Sequence, residues 1–236
     1  MISLIATFYH DYRCILFSII IPVVAVLLMG HYLVWGAKGR HITVFSRKVK
    51  RFTVGERIHH FIRLLSFLIV AGTGLRFVYA ETVKGALRAH GAGGIVFVVL
   101  TVVIIFIWFR DVIFKDYDKL WLIKLGGYFG KNKDCLPAGR FNAGQKIFFW
   151  LTGIIALLLG LTGILLFAGA HVEVSWYSIV LAIHGWLALL LIAAVIGHVY
   201  LAVFTNPGTW RVLVDGKVSE EWAHFHHPNW KYLKKP

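Results

Sequence analysis

Five apolar runs, separated by polar and mostly basic segments, dominate the pattern of hydrophobic and polar positions along this chain. They lie at roughly 14–36, 62–80, 91–109, 147–169 and 179–204. A helix needs about 20 residues to cross the hydrocarbon core of a bilayer, and all five runs are near that length. Lipid offers no partners for backbone polar groups, and the sequence lacks the two-residue alternation of barrel strands. The pattern therefore predicts an all-α integral membrane helix bundle.

The first apolar run could instead be a signal peptide, with Cys14–Met29 as its apolar core. A signal peptide usually has a basic segment before this core and a small-residue cleavage site after it. Here the preceding segment holds only Arg13 and Asp11 as charged residues, and no A-x-A site follows. We therefore expect the first run to be a retained transmembrane helix.

Lysine and arginine are concentrated in the first and third loops and in the C-terminal tail. The second loop contains only Lys84 and Arg88, and the fourth contains neither residue type. Because basic residues are enriched in cytoplasmic loops, we expect the first and third loops and the tail to be cytoplasmic, with the N-terminus outside. This distribution also accounts for the net charge of +14, which we interpret as a topology signal and not as evidence of nucleic-acid binding.

The two cysteines, Cys14 and Cys135, do not form a C-x-x-C motif. The chain is therefore not expected to hold a cysteine-ligated iron–sulfur cluster or a covalently attached c-type haem. A disulfide between them is not expected either, because the predicted topology puts them on opposite sides of the membrane.

Four histidines stand out among those in or at the ends of the predicted helices: His60, His90, His184 and His198. An ionisable side chain at membrane depth is costly, so a functional role is the default hypothesis. His184 and His198 are 14 residues apart, which is close to four helical turns, so they share a helix face about 21 Å apart along the axis. A single metal cannot bridge that distance, whereas two stacked cofactors can.

The four histidines fall into two pairs when they are sorted by their predicted depth in the membrane. His90 opens the third helix at the outer surface, at the depth of His184, and His60 opens the second helix at the inner surface, at the depth of His198. Imidazole is a common axial ligand of haem iron, so the pattern predicts two non-covalent b haems. The alternative is four unrelated histidines inside a bundle.

Two further histidines compete for the inner site. His59 adjoins His60, and adjacent helical residues point about 100° apart, so only one of the two can be a ligand. His31 lies near the inner end of the first helix, but no histidine at matching depth remains to pair with it.

Several segments resemble the cytochrome b (gamma) subunit of membrane-bound respiratory formate dehydrogenases. The clearest is G-R-F-N-A-G-Q-K-I-F-F-W at Gly139–Trp150, followed by A-I-H-G-W-L-A with His184 and G-H-V-Y-L-A with His198. The others are R-I-H-H-F, L-R-A-H-G, D-G-K-V-S-E-E-W-A and H-H-P-N-W. Together they cover roughly residues 50–233.

The resemblance implies a four-helix core with two b haems over residues 46–236, which includes the cytoplasmic tail. Residues 1–45 would then add an N-terminal transmembrane helix and the start of a cytoplasmic loop. It implies a location in the bacterial inner membrane. It also places the four haem-iron ligands at His60, His90, His184 and His198.

The resemblance further implies partners and a substrate. An iron–sulfur subunit would pass electrons from a molybdenum- or tungsten-dependent subunit that oxidises formate, and this chain would reduce menaquinone or ubiquinone. The quinone region corresponds to Asn142, Gly144 and Gln145. Both amides can hydrogen-bond a quinone carbonyl, and glycine lets a ring approach the backbone. The alternative for Asn142 is that it only caps the fourth helix.

Two other functions remain open at this point. A cytochrome b anchor of a nickel–iron hydrogenase or of a thiosulfate-type reductase would use the same haem ligands, although N-A-G-Q-K and D-G-K-V-S favour formate dehydrogenase. A transporter with histidine proton relays would more often carry acidic residues inside its helices. No Asp or Glu lies in the middle of any predicted span.

Overall fold

A computed structural model describes residues 2–36, 47–80, 83–129, 135–169, 174–205 and 209–231. Within these ranges, five long helices are apolar enough to cross a membrane, which confirms the predicted helical membrane bundle. They are α1 (Ile2–Trp35), α2 (Val54–Tyr79), α3 (Lys84–Val112), α5 (Ala143–Ala168) and α6 (Val174–Tyr200). Shorter elements are β1 (Lys48–Lys50), α4 (Asp118–Ile123), α7 (Val212–Asp215), β2 (Lys217–Ser219) and α8 (Glu220–His226).

The five long helices begin before their apolar runs, because polar residues can start a helix outside the hydrocarbon core. Helix α2 shows the reason most clearly. The Thr53 hydroxyl accepts a hydrogen bond from the Glu56 N–H at 3.2 Å, and the Glu56 carboxylate accepts one from the Thr53 N–H at 2.8 Å. This reciprocal capping box starts the helix at Val54, well before its apolar run.

The chain divides into two compact units. The first consists of Met1–Val26, His59–Ile105 and Thr152–Ile196, and the second of Leu27–Ile58, Phe106–Leu151 and Gly197–Pro236. The expected boundary between residues 45 and 46 lies outside the described residues and stays a prediction.

The first unit has a core to which four helices contribute. Phe67 of α2, Phe97 of α3, Ile155 of α5 and Leu191 of α6 are buried against one another. Large apolar side chains elsewhere point outward, such as Phe167 at 81% exposure. A core inside and apolar residues outside is the arrangement expected of a helix bundle in lipid.

Helix α1 packs onto this first unit through a second core cluster, in which Tyr9 and Phe17 meet Val78 of α2 and Leu189 of α6. The Tyr9 ring lies so close to Gly185 that a Cβ atom at that position would collide with it. Gly185 therefore serves the close approach of α1 to α6.

The second unit contains a small module that the sequence pattern did not predict. Strand β1 pairs antiparallel with β2, with Val49 opposite Val218. Val218 joins Val212, Trp222 and Trp230 in a buried cluster. The module thus ties the segment before α2 to the C-terminal tail.

Candidate functional site

The structure brings together His90 of α3 and His184 of α6, both in the first unit. Their ring centroids are 6.2 Å apart, and the ring planes are inclined by 58°. Both side chains are partly buried. Two imidazoles therefore face a common space inside the helical bundle.

Each of these imidazoles is held by a threonine. Thr73 Oγ1 of α2 is 2.8 Å from His90 Nδ1, and Thr162 Oγ1 of α5 is 2.8 Å from His184 Nδ1. Each threonine hydroxyl also donates its proton to a carbonyl of the preceding helical turn, at 2.6 and 2.8 Å. A hydroxyl has one proton, so toward the imidazole it acts as acceptor and Nδ1 carries the hydrogen.

This tautomer leaves the Nε2 lone pair of both rings available. Metal-binding histidines usually donate their other ring N–H to a neighbouring acceptor, which fixes the ring and raises its basicity. Sequence reasoning missed Thr73 and Thr162. Each precedes a glycine, as G-T-G at 72–74 and L-T-G at 161–163, but this pattern does not single them out, because L-T-G also occurs at 151–153.

The spacing of the two rings fits a metal held between them. An imidazole–metal bond is about 2 Å and the ring centre lies about 1 Å further, so two axial imidazoles set centroids roughly 6 Å apart. Within the described ranges, no three His, Cys, Asp or Glu residues cluster as a metal site. A pair of imidazoles suits a metal already bound in a macrocycle, to which the protein adds only axial ligands.

Beside the rings, small residues leave room. A Cβ atom added at Gly74 would lie 3.4 Å from the His90 ring, and one added at Gly163 would lie 3.7 Å from the His184 ring. Gly93 has a different role, since an added Cβ would come within 3.0 Å of Ile69. It lets α3 pack closely on α2.

At the other predicted pair, the structure distinguishes the two adjacent histidines of α2. The Nε2 atom of His59 hydrogen-bonds the Leu100 carbonyl of α3 at 2.8 Å. The His60 ring has an edge contact with Phe61, and the His198 ring of α6 stacks on Phe148 at 4.4 Å. His59 is thus committed to the backbone of α3, which favours His60 as a ligand, and the pairing of His60 with His198 stays a prediction.

His31 of α1 has its own partners in the second unit. Its Nδ1 atom is 2.6 Å from the Tyr200 hydroxyl, and its Nε2 atom is 3.2 Å from the Tyr128 carbonyl. Both ring nitrogens are therefore engaged, which agrees with its interpretation as a residue outside the ligand set.

Asn142 and Gln145 form a reciprocal cap at the start of α5. The Asn142 Oδ1 atom accepts from the Gln145 N–H at 2.9 Å, and the Gln145 Oε1 atom accepts from the Asn142 N–H at 3.1 Å. The capping role of Asn142 is therefore real. It also fixes both amide orientations, because the oxygens are used in the cap and the NH₂ groups point away as donors.

Gly144, in the first turn of α5, lies against the Trp121 side chain of α4. A Cβ atom there would lie 2.5 Å from the Trp121 ring, so glycine is needed for Trp121 to pack against α5. The ring that approaches this backbone in the structure is therefore that of tryptophan.

Two of the sequence segments that carry the resemblance meet next to this cap. His227 Nδ1 is 2.7 Å from the Gly139 carbonyl, and the Asn229 N–H donates to the Ala138 carbonyl at 2.9 Å. Burial, and secondarily the charge of Arg51, lower the pKa of His227 well below its usual value. A neutral imidazole thus fixes the loop that leads into α5.

Ion pairs hold the same region. Arg140 donates to the carboxylates of Glu56 and Asp111 at 2.7 and 2.8 Å. Lys146, 1% exposed, donates to Asp118 at 2.6 Å and to the Ile113 carbonyl at 3.0 Å. The beginning of α5 is therefore anchored to the ends of α2 and α3 and to α4.

Comparison with known proteins identifies the family to which this chain belongs. The family described as prokaryotic cytochrome b561 matches residues 51–216. The formate dehydrogenase cytochrome b556(fdo) subunit of Escherichia coli strain K12 is 30% identical over 196 residues, covering 77% of this chain and 91% of the relative. The nitrate-inducible formate dehydrogenase cytochrome b556(Fdn) subunit of the same strain is 28% identical, covering 78% and 91%.

A further relative is the formate dehydrogenase cytochrome b556 subunit of Haemophilus influenzae, which is 24% identical and covers 78% of this chain and 82% of its own length. These matches confirm the resemblance inferred from the sequence segments.

Proposed function

Because this chain belongs to the prokaryotic cytochrome b561 family, we propose that it is the membrane-anchor cytochrome b subunit of a respiratory formate dehydrogenase. It is a multi-pass membrane protein, and its family consists of b-type cytochromes that bind haem and transfer electrons. The named relatives support the formate dehydrogenase assignment, since the chain covers 91% of the first of them.

The contact between His90 and His184 is the observation that carries the proposal. Haem b, when bound, supplies reversible one-electron transfer. His90 and His184 would hold one haem, and the threonines at their Nδ1 atoms fix both rings so that Nε2 would be the atom that binds the iron. His60 and His198 are the ligands of a second haem. This pairing rests on their depth along the helices and on the engagement of His59 elsewhere.

Quinone reduction takes place at the start of α5, on the side predicted to be cytoplasmic. Asn142 and Gln145 cap the helix through their oxygens, which turns their NH₂ groups outward as donors for a quinone carbonyl. Capping and quinone binding are therefore compatible at these two residues. The quinone is menaquinone or ubiquinone.

The partners follow from the same assignment. An iron–sulfur subunit docks on the outer side, near the ends of α3 and α6 that carry His90 and His184. A molybdenum- or tungsten-dependent subunit oxidises formate and supplies the electrons. The chain lies in the bacterial inner membrane with its C-terminus in the cytoplasm.

The test is to purify the complex through a tag on this chain, measure haem by the pyridine haemochrome assay, and follow the reduced haem bands after adding formate. We expect about two haems per chain, because two imidazole pairs are available, and reduction by formate. A content near one haem per chain would refute the pairing of His60 with His198. A content near zero would refute the haem assignment as a whole. Reduction by hydrogen but not by formate would instead identify a hydrogenase anchor.

A further inference from the structure

An open cavity of about 450 Å³ lies in the second unit, lined in part by Lys50, Arg51, Asp111, Arg140 and Lys231. Much of its lining lies beside the ends of membrane-spanning helices, and Trp230 and Lys231 of the C-terminal tail complete it. Lys50 and Arg51 precede α2, Asp111 is the residue before the last of α3, and Arg140 precedes α5. Such positions lie at the level of the lipid headgroups.

Arg51 is the unusual member of this lining. It is 5% exposed, and its Nη1 atom is buried without a hydrogen-bond partner in the described part of the chain. Its Nη2 atom donates only to the Arg140 carbonyl at 3.3 Å, and its guanidinium lies 4.7 Å from the centre of the Trp222 ring. Burial and the nearby Arg140 lower the pKa of Arg51 to about 9, so it stays charged at neutral pH.

The nearby carboxylates, Glu56 and Asp111, offset two of the four basic charges around the cavity, and neither is hydrogen-bonded to Arg51 in the described part of the chain. Glu56 and Asp111 are both engaged by Arg140, at 2.7 and 2.8 Å. At the rim, Lys50 and Lys231 are exposed and add two positive charges to the lining. A buried charge without a partner is strongly unfavourable, and this cavity is where an anion would relieve it.

We propose that Arg51, with Lys50 and Lys231 at the rim, binds the phosphate group of an anionic membrane phospholipid. A guanidinium presents parallel N–H donors that match two phosphate oxygens, and Arg51 lines the cavity with its Nη1 atom left unpaired among the described residues. The helix ends place the cavity at headgroup depth, on the side predicted to be cytoplasmic, and basic pockets between helix ends on that side suit anionic lipids. Asn142 and Gln145 do not line it, so it is separate from the proposed quinone site.

The experiment uses the purified, haem-loaded protein, washed free of lipid in a phosphorus-free detergent. Phosphatidylglycerol is added, and the lipid bound per chain is counted by native mass spectrometry, with inorganic phosphate as a competing probe. The variants are Arg51→Gln and the rim double variant Lys50→Gln/Lys231→Gln. Lys119→Gln/Lys124→Gln is the matched control, because it removes two exposed charges that do not line the cavity.

We expect the unmodified protein and the control to retain a single phosphatidylglycerol and both cavity variants to lose it. The rim variant changes only exposed side chains, so it keeps the test valid if Arg51→Gln does not fold. Equal retention in all proteins would overturn the proposal. Displacement of the lipid by millimolar inorganic phosphate would assign the cavity to a soluble phosphate compound, which also overturns it. Loss of haem from Arg51→Gln with the lipid retained would assign the guanidinium to a haem propionate and overturn it too.

Discussion

Thr73 and Thr162 determine which nitrogen two different histidines present. They come from α2 and α5, whereas the histidines come from α3 and α6, so four helices cooperate in orienting two rings. The sequence reveals the histidines, because an ionisable group at membrane depth stands out. It does not reveal the threonines, since a hydroxyl inside an apolar helix usually bonds its own backbone and needs no further partner.

Valine has nearly the same side-chain shape as threonine but lacks the hydroxyl that accepts from the histidine Nδ1–H. We expect Thr73→Val and Thr162→Val each to weaken haem binding at the His90–His184 pair by about 10- to 100-fold, the usual effect of losing such a partner. The less basic imidazole should also shift the midpoint potential of that haem to a more positive value. Haem retention against a scavenger protein and a redox titration measure the two effects.

Thr101→Val is the matched control. Thr101 is 0% exposed in α3 and donates to the Phe97 carbonyl at 2.8 Å, as the other two threonines do to their own helices, but among the described residues it has no hydrogen bond to a histidine. Two results would contradict the role of Thr73 and Thr162 in orienting the imidazoles. One is an unchanged haem midpoint potential in Thr73→Val and Thr162→Val, and the other is an equal shift in Thr101→Val.

At the scale of elements, the long helices could be predicted from the sequence and the small ones could not. Each long helix carries a sustained apolar run, and that signal is independent of its neighbours. Strands β1 and β2 have three residues each, K-V-K and K-V-S, and they pair although they lie far apart in the sequence, with Lys50 opposite Lys217. No local pattern identifies such a pair, because its stability comes from the Trp222 and Trp230 cluster beneath it.

The start of α5 depends on one buried ion pair. Asp118, the first residue of α4, is 1% exposed and accepts from Lys146 and from the Lys115 N–H, while its Oδ1 atom has no partner among the described residues. Removing one partner of a buried pair leaves an uncompensated charge, which typically costs about 3–5 kcal/mol. We expect Lys146→Met to lower the free energy of unfolding by about that amount in denaturant unfolding.

The double variant Lys146→Met/Asp118→Leu should regain most of this loss, because no charge is then left unpaired. Lys119→Met, an exposed position in α4, serves as the control and should change stability by less than about 0.5 kcal/mol. A double variant as unstable as Lys146→Met would show that the packing of the side chains, and not the charge, holds α4 against α5.

At the scale of the whole molecule, the proposed sites divide the chemistry between two sides of the membrane. This division rests on the predicted topology, in which His90 and His184 lie near the outer helix ends and Asn142 ends a cytoplasmic loop. Electrons arriving outside and protons taken up from the cytoplasm would make quinone reduction build a membrane potential. The orientation that this requires rests on the distribution of lysine and arginine along the loops.

Asn142→Asp separates the two roles of that residue within the assembled complex. Aspartate keeps the oxygen that accepts from the Gln145 N–H, and it is an equally good N-cap, so α5 should begin as before. It has no NH₂ group, so it cannot donate to a quinone carbonyl. We expect formate to reduce the haems at the normal rate, while quinone reduction and the membrane potential in proteoliposomes fall by about 10-fold, the effect of losing about 1.4 kcal/mol of binding.

Gln145→Glu should act in the same direction, and Asn142→Ala should also destabilise α5. Normal quinone turnover in Asn142→Asp, with a stable fold, would leave Asn142 as a cap alone and place the quinone elsewhere.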